Sequence, residues 1–494
     1  MFSCVIKDVM KKMKKLHIPV LALGMALFLF PPAFSAMAGD DQADVEPLSR
    51  TGSDNGSFQG FLEMENLFNA HKDQSFDDAV IKNELRGKFK IRYGTDNAHV
   101  FLSPDIYLCG ALYQSESDKT YAYSDDFDVS RNMRISDRGY EASLNEGYFH
   151  YGNDRARVRI GNQIYGWGTA DVFNPTSYFN PYDMRETFFK DDDELKLGVP
   201  SVSGMVFFEK FTLEMVAVPV HVPGILAEEG RYWAIHMDNY QLPIVFDDIH
   251  ALSGGIDSSA FGARISSTIL GTDISASAYH GPDKDFVYRP ARTLIKAGEA
   301  VSVLVQPLTF PVTFLGMDFS KSLDTFVLQA ELAYSPDKRT CLDQSTDSGE
   351  PIAFPYAVER SDYIAYAMGF NYFPPMHQWI EGHEGDTVLT MEWYQARYLN
   401  RSRTEPVITD FISARFEDSY FKGRVPVALT VLVSLENPGH VIWPRIGYDF
   451  QNGFSTTLSY VHLDGRSDTL NTTESLFYYF RNNDSVIWKL HYDF

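Results

Sequence analysis

Beyond residue 30 the sequence lacks any run of about 18 apolar residues, which excludes a transmembrane helix there. Cysteine is scarce: three in 494 residues, Cys4, Cys109 and Cys341. That is no disulfide framework for a chain of this length, and the two later thiols read as small apolar residues. Positive charge is in deficit, with 43 Lys+Arg against 66 Asp+Glu and a formal net charge of -23, which argues against a nucleic-acid partner. Catalytic signatures are missing as well. There is no Gly-x-Ser-x-Gly, His-Glu-x-x-His or Walker loop, and Gly166-Trp167-Gly168-Thr169-Ala170-Asp171 lacks the third glycine of a dinucleotide site. The expectation is a protein that is not an enzyme and holds no cofactor and no metal.

What is present begins with a basic patch (Lys11, Lys12, Lys14, Lys15), an apolar run over 18–30 cut by Pro31 and Pro32, and the small-residue site Ala36-Met37-Ala38. This reads as a secretory signal peptide over 1–38. A polar, strand-poor segment over 39–56 follows, expected to be a short periplasmic tail. From 57 to 494 a two-residue period recurs: Lys82, Glu84, Arg86, Lys88, Lys90 and Arg92 alternate with Leu85, Phe89, Ile91 and Tyr93. The same alternation appears from Phe326 to Tyr334, from Ile364 to Tyr372 and from Val425 to Leu435. Such two-faced strands pack one side in apolar surroundings and wet the other.

The connections are unequal. Tight turns at Gly94-Thr95-Asp96, Gly152-Asn153-Asp154 and Gly271 separate long segments at 115–139, 166–201, 221–257, 281–297 and 336–360. Short turns at one end and long loops at the other mark an outer-membrane barrel. The pattern predicts an all-β, transmembrane antiparallel β-barrel of about 18 strands, with 16 the next choice. Around 298–320, Pro307 and Pro311 leave one strand near 310–320 preceded by loop. The last strand alternates Trp488, Leu490, Tyr492 and the terminal Phe494 with polar residues. It resembles the strand by which barrels are recognised for insertion, which implies the barrel-assembly machinery and outer-membrane lipid, including lipopolysaccharide, as partners.

The run Arg159-x-Gly161-x-Gln163, Trp167-Gly168, Asn174-Pro175, Asn180-Pro181-x-Asp183 and Arg185 resembles the signature of an uncharacterised, porin-like outer-membrane β-barrel family of Gram-negative bacteria. In that family a Gly-x-Gln strand leads to Trp-Gly and then an Asn-Pro loop. The match covers about 30 residues and is architectural elsewhere, with a more distant similarity to polysaccharide-export barrels. It implies the fold and the cell outer membrane; passive passage of small solutes is expected because barrels of about 16 to 18 strands leave a water-filled channel.

The sharpest chemical feature is a basic stripe: Lys82, Arg86, Lys88, Lys90 and Arg92 on the second strand, with Arg155, Arg157 and Arg159 on the fifth. In a lumen narrower than the ~8 Å Debye length such a wall enriches anions; alternatively it pairs with Glu63, Glu65, Glu141 and Glu331. The third long connection carries Asp183, Glu186, Asp191, Asp192, Asp193 and Glu194. It is expected to fold inward against the stripe, as the loop at that place does in general porins, rather than cap the barrel outside. Clustered acids at Asp125, Asp126, Asp128 and 191–194 read as solvated surface or, less simply, calcium ligands. His377, Glu381, His383 and Glu384 read as a polar turn. Tyr148, Tyr151, Tyr165, Trp167, Trp393, Tyr398 and Trp488 are expected in interfacial girdles. A plugged structural or adhesive barrel and an outer-membrane lipid-hydrolysing enzyme are the rival functions.

Overall fold

The computed structural model describes residues 56–70, 79–109, 128–129, 133–137, 139–186, 190, 192–227, 232–233, 244–252, 255–296, 299–341, 355–380, 383–399, 408–435, 438–465, 477 and 480–494. The expected signal peptide and nearly all of the tail lie outside them. Eighteen antiparallel strands form a ring: β1 (Gly56–Asn69), β2 (Val80–Gly94), β3 (Ala98–Cys109), β4 (Tyr140–Gly152), β5 (Ala156–Gln163), β6 (Val199–Phe207), β7 (Thr212–Val218), β8 (Ala260–Ile269) and β9 (Thr272–Pro282) make one half. The other half is β10 (Pro311–Leu323), β11 (Phe326–Cys341), β12 (Val358–Tyr372), β13 (Val388–Tyr398), β14 (Ile408–Tyr420), β15 (Val425–Ser434), β16 (Gly439–Asp449), β17 (Phe454–Gly465) and β18 (Ser485–Asp493). Pairing of β1 with β18, from Phe61↔Asp493 to Asn69↔Ser485, closes it, and the backbones of Phe494 and Gly60 exchange two 3.0 Å bonds at the seam. Closure leaves no edge strand in the ring.

The alternation sets the two faces. Outward residues are apolar and exposed, among them Ile160, Met215, Leu315, Met317, Met368 and Leu458, whereas their inward neighbours Ala333, Ser335, Ala365 and Glu331 are almost completely buried. The barrel interior is therefore occupied. Short turns share one end with Gly56 and Phe494; there Leu270 and Gly271 both adopt positive φ (54° and 70°) in a two-residue hairpin. Rings gather at that end: Phe58 lies 6.0 Å from Phe89 and 5.6 Å from Phe494, and Phe454 lies 4.4 Å from Tyr492.

The long connections leave the opposite end. Two short strands over 128–129 and 134–137 extend the sheet beside β4. Residues 287–296 and 299–308 form a hairpin with 244–246 alongside, a separate three-stranded sheet. The proline-bearing stretch before β10 is thus strand as well, but outside the ring, where Pro307 can sit opposite Tyr288 at no cost to the barrel ladder.

Candidate functional site

The connection from β5 to β6, residues 164–198, runs through the barrel. Its Glu186 meets Lys82 of β2 at 3.0 Å, and its Thr176 donates to Glu331 of β11 at 2.8 Å. In a ring of eighteen these strands are diametrically opposed, so the segment spans the interior. It also reaches low. Trp167 Nε1 donates to Glu214 at 2.9 Å, two residues into β7 from a short turn.

One wall holds the segment by carboxylates that accept its backbone amides. Glu331 receives the N–H groups of Thr169, Ala170 (2.6 Å) and Thr176 (3.1 Å); Glu392 of β13 receives those of Asp171 (2.9 Å), Val172 (3.3 Å) and Phe173 (2.7 Å). Gly168 makes this turn feasible. Its φ is +108°, and a Cβ there would collide with the Glu331 carboxylate and the Asn174 side chain. Aromatic packing adds to the anchor: Trp167 meets Phe179 edge-on at 5.0 Å, Tyr178 stacks on Phe314 at 5.0 Å, and Phe173 stacks on Tyr394 at 4.8 Å.

Asn180 ties the two ends of the segment together, accepting from Tyr165 N (2.8 Å) and donating to Gln163 O (3.0 Å) and Leu197 O (2.7 Å). Pro181 O accepts from Leu197 N, and the Asn174 carbonyl accepts from Ser177 N beyond Pro175. Gln163 bonds Ser201 and Ser203 of β6. Gly161 lies at φ +143° against the Gly147 carbonyl. These residues act as internal struts.

The other wall is ionic. Lys82, 1% exposed, touches Glu65 (2.9 Å), Glu84 (3.0 Å) and Glu186. Arg86 pairs with Asp105 of β3 (2.9 Å) and Glu194 (2.7 Å). Arg185 grips Glu141 of β4 with both terminal nitrogens at 3.0 Å and Asp183 through Nε at 2.8 Å. Lys190 meets Glu186 at 3.0 Å, and Lys489 of β18 meets Glu65 at 2.7 Å. Burial alone would raise the Asp183 carboxyl, but Arg185 holds it well below the usual range. Burial likewise opposes ionisation of Glu194, yet Arg86 brings it down to about 2.

Toward the short-turn end, Lys88, Lys90, Arg92, Arg157 and Arg159 share the inward face with Glu146, which lies within electrostatic reach of Lys88, Lys90 and Arg159. Arg157 covers the Phe207 ring at 4.8 Å and Arg159 that of Tyr148 at 5.0 Å. Arg92 pairs with Asp96. Among the described residues, Lys88 and Arg157 have no ion-pair partner. Arg155 sits in the exposed turn preceding β5 rather than on its inward face.

Several residues fall elsewhere than expected. Tyr165, Trp167 and Tyr398 pack inside, not in a girdle, and Tyr148 faces inward beside Arg159; Tyr151, Trp393 and Trp488 do face out. His383 is buried against Asp418 at 2.9 Å, and no metal-binding cluster occurs among the described residues. Asp191, Asp125, Asp126 and Glu381 lie outside the described residues, as do the side chains of Asp128, Asp192 and Asp193. Glu214 and Glu392 escaped sequence reasoning. Their only signal is a carboxylate on the polar phase of an alternating strand.

No known family profile matches the sequence, and no curated protein matches it. Among solved structures, OccAB1 of Acinetobacter baumannii aligns with a TM-score of 0.48 at 10% identity, over 91% of this chain and 99% of that one. OccAB3 of the same organism aligns at 0.47 and 12%, over 89% and 99%. OpdK of Pseudomonas aeruginosa, solved with vanillate, aligns at 0.47 and 8%, over 89% and 98%. At this distance no lumen residue inherits a role, and the reading rests on the chain's own contacts.

Proposed function

We propose that the protein is an outer-membrane channel through which small solutes diffuse passively, narrowed by the 164–198 segment. The observation that carries this reading is the segment's passage across the ring, tied to opposed walls by Lys82–Glu186 and Thr176–Glu331. Barrels of this strand number enclose a wide lumen, and a segment fixed across it sets the cross-section that solutes meet. The passage is basic on one side. Lys88, Lys90, Arg92, Arg157 and Arg159 line it near the short-turn end, and the two without ion-pair partners among the described residues, Lys88 and Arg157, leave net positive charge for a permeating anion. The signal peptide, outer-membrane location and recognition of Trp488, Leu490, Tyr492 and Phe494 by the assembly machinery belong to the same reading.

Single-channel recording of the refolded protein in planar bilayers tests it. Discrete openings with a reversal potential favouring anions are expected. A second reading has an observation of its own: the aromatic cluster of Trp167, Tyr178, Phe179 and Phe314 is buried inside the ring, as packing in a plugged structural barrel requires. Correctly inserted protein with no conductance would decide for the plug.

A further inference from the structure

On its outer surface the barrel carries arginines that no described residue neutralises. Arg339 of β11 and Arg360 of β12 are directly opposed in register. Both face outward. A bulge between Ser335 and Lys338 shifts the phase, so that Lys338 and its partner Ser361 point inward, 3% exposed each, and their chain neighbours Arg339 and Arg360 point away. Arg397 of β13 pairs with the outward Ile364, next to the inward pair Tyr363 and Tyr398. Arg360 and Arg397 are exposed. Arg339 stacks over Phe310 at 5.5 Å.

Like charges facing each other across a ladder destabilise it, and an acidic chain has carboxylates to spare. Yet among the described residues Arg339, Arg360 and Arg397 have no carboxylate at ion-pair distance. Nearby acids are engaged elsewhere: Asp337 accepts from Thr313 N (3.4 Å), and Asp410 accepts from Trp393 Nε1 (2.7 Å) and Gln395 (2.6 Å), while Asp362 has another interaction of its own. The height of the arginines is also defined. Below them on the same outward face run Leu328, Leu332 and Tyr334 on β11, Met368 and Tyr366 on β12, and Met391 and Trp393 on β13. The arginines thus begin where the apolar band ends, at the long-loop end.

We propose that Arg339, Arg360 and Arg397 clamp the phosphates of lipopolysaccharide in the outer leaflet. Arginine matches phosphate geometry bidentately, and a phosphorylated glycolipid anchored in that leaflet presents its anions at the edge of the hydrocarbon. The Arg339/Arg360 pair takes one phosphate between two guanidinium groups, and Arg397 lies lower on the neighbouring strand for a second. This inference rests on the outer-membrane reading above, because only that membrane supplies such a lipid.

The test uses the folded full-length barrel in detergent, wild type against the triple variant Arg339→Gln, Arg360→Gln, Arg397→Gln, titrated with purified lipopolysaccharide and read as the shift of the protein–lipid complex on a native gel. Replacing three guanidinium groups that face an anionic lipid surface should lower affinity about a hundredfold. Dephosphorylated lipopolysaccharide should bind wild type as weakly as the intact lipid binds the variant. Equal binding by both proteins would overturn the clamp, as would displacement of the lipid by inorganic phosphate or phosphatidylglycerol at matched concentration, which would mark a general anion surface. Failure of the membrane reading looks different: unboiled and boiled samples would then migrate alike, for wild type and variant together.

Discussion

The two walls that hold the 164–198 segment solve one problem by different chemistry. On the β11–β13 side, Glu331 and Glu392 accept backbone amides and aromatic rings pack around them; on the β1–β4 side, Lys82, Arg86 and Arg185 meet carboxylates in a chain of ion pairs. The first anchor reads the backbone and fixes conformation. The second reads side-chain charge, and its worth depends on every member staying ionised. A segment held by both has little freedom to swing aside.

The ionic wall is most vulnerable at Lys82. Its ammonium serves Glu65, Glu84 and Glu186 while 1% exposed, so Lys82→Met leaves buried carboxylates uncompensated, at a cost of about 3–5 kcal/mol. Urea unfolding in lipid vesicles should show the midpoint shifted down accordingly. An unchanged midpoint would mean that water enters the ionic wall freely and the network is not dry.

Glu331→Gln combined with Glu392→Gln attacks the other wall. Charge-assisted bonds contribute about 1.5–3 kcal/mol each where neutral ones contribute about 1, and an amide side chain cannot accept at both ends. The segment around Thr169–Phe173 should detach while the ring remains closed, since neither change touches a ladder bond. Conductance should rise several-fold. A conductance equal to wild type would place the narrowest point away from this segment.

This contrast also marks what the sequence could tell. Strands announce themselves because a sheet with one apolar and one polar face imposes a period of two, and loop asymmetry distinguished the two ends, so the ring of eighteen was legible down to β5 and the connection after it. The acidic residues Glu186 and Glu194 were readable as partners for a basic stripe because opposite charges can be matched on paper. Glu331 was matched to the same stripe and that partner is wrong: it accepts peptide N–H groups of the segment, as Glu392 does, and every residue but proline possesses such a group. Tyr165 and Trp167 misled for a related reason: an aromatic beside a strand end looks the same whether it faces the membrane interface or folds inward. Only the turn at Gly168, which needs positive φ, decides between them.

Acid acts on the ionic wall alone, and more weakly. Arg185 and Arg86 hold Asp183 and Glu194 below the ordinary carboxylate range, Glu194 to about 2. Carboxyls depressed in the folded state contribute stability that is present above their unfolded value near ~4 and is lost as pH falls through the folded one. The Arg185–Asp183 and Arg86–Glu194 contacts should therefore survive acidification to pH ~3, the second releasing only near ~2. Limited proteolysis of the 183–194 stretch across that range should show protection until the last step; cleavage already rising at pH ~4 would contradict the pairing of these acids.

The smallest effect concerns Arg157, whose guanidinium lies over Phe207 with no ion-pair partner among the described residues. Cation–π contact at an exposed site contributes only about 0.5–1 kcal/mol, so Arg157→Gln should leave folding nearly untouched. Its charge, however, shares the inward face with Lys88, and neighbouring Arg92 is already engaged by Asp96. Removing one of the two unpaired cations should reduce anion preference measurably in a salt-gradient reversal potential, and the loss should shrink as ionic strength rises and screening shortens the reach of the charge. Lys82→Met, by contrast, removes a charge already spent on three carboxylates, and in channels that still insert it should leave selectivity less altered than Arg157→Gln does. A larger selectivity change from Lys82 would mean that ions pass along the ionic wall itself, between β1–β4 and the segment, and not beside the basic groups of β2 and β5 near the short turns.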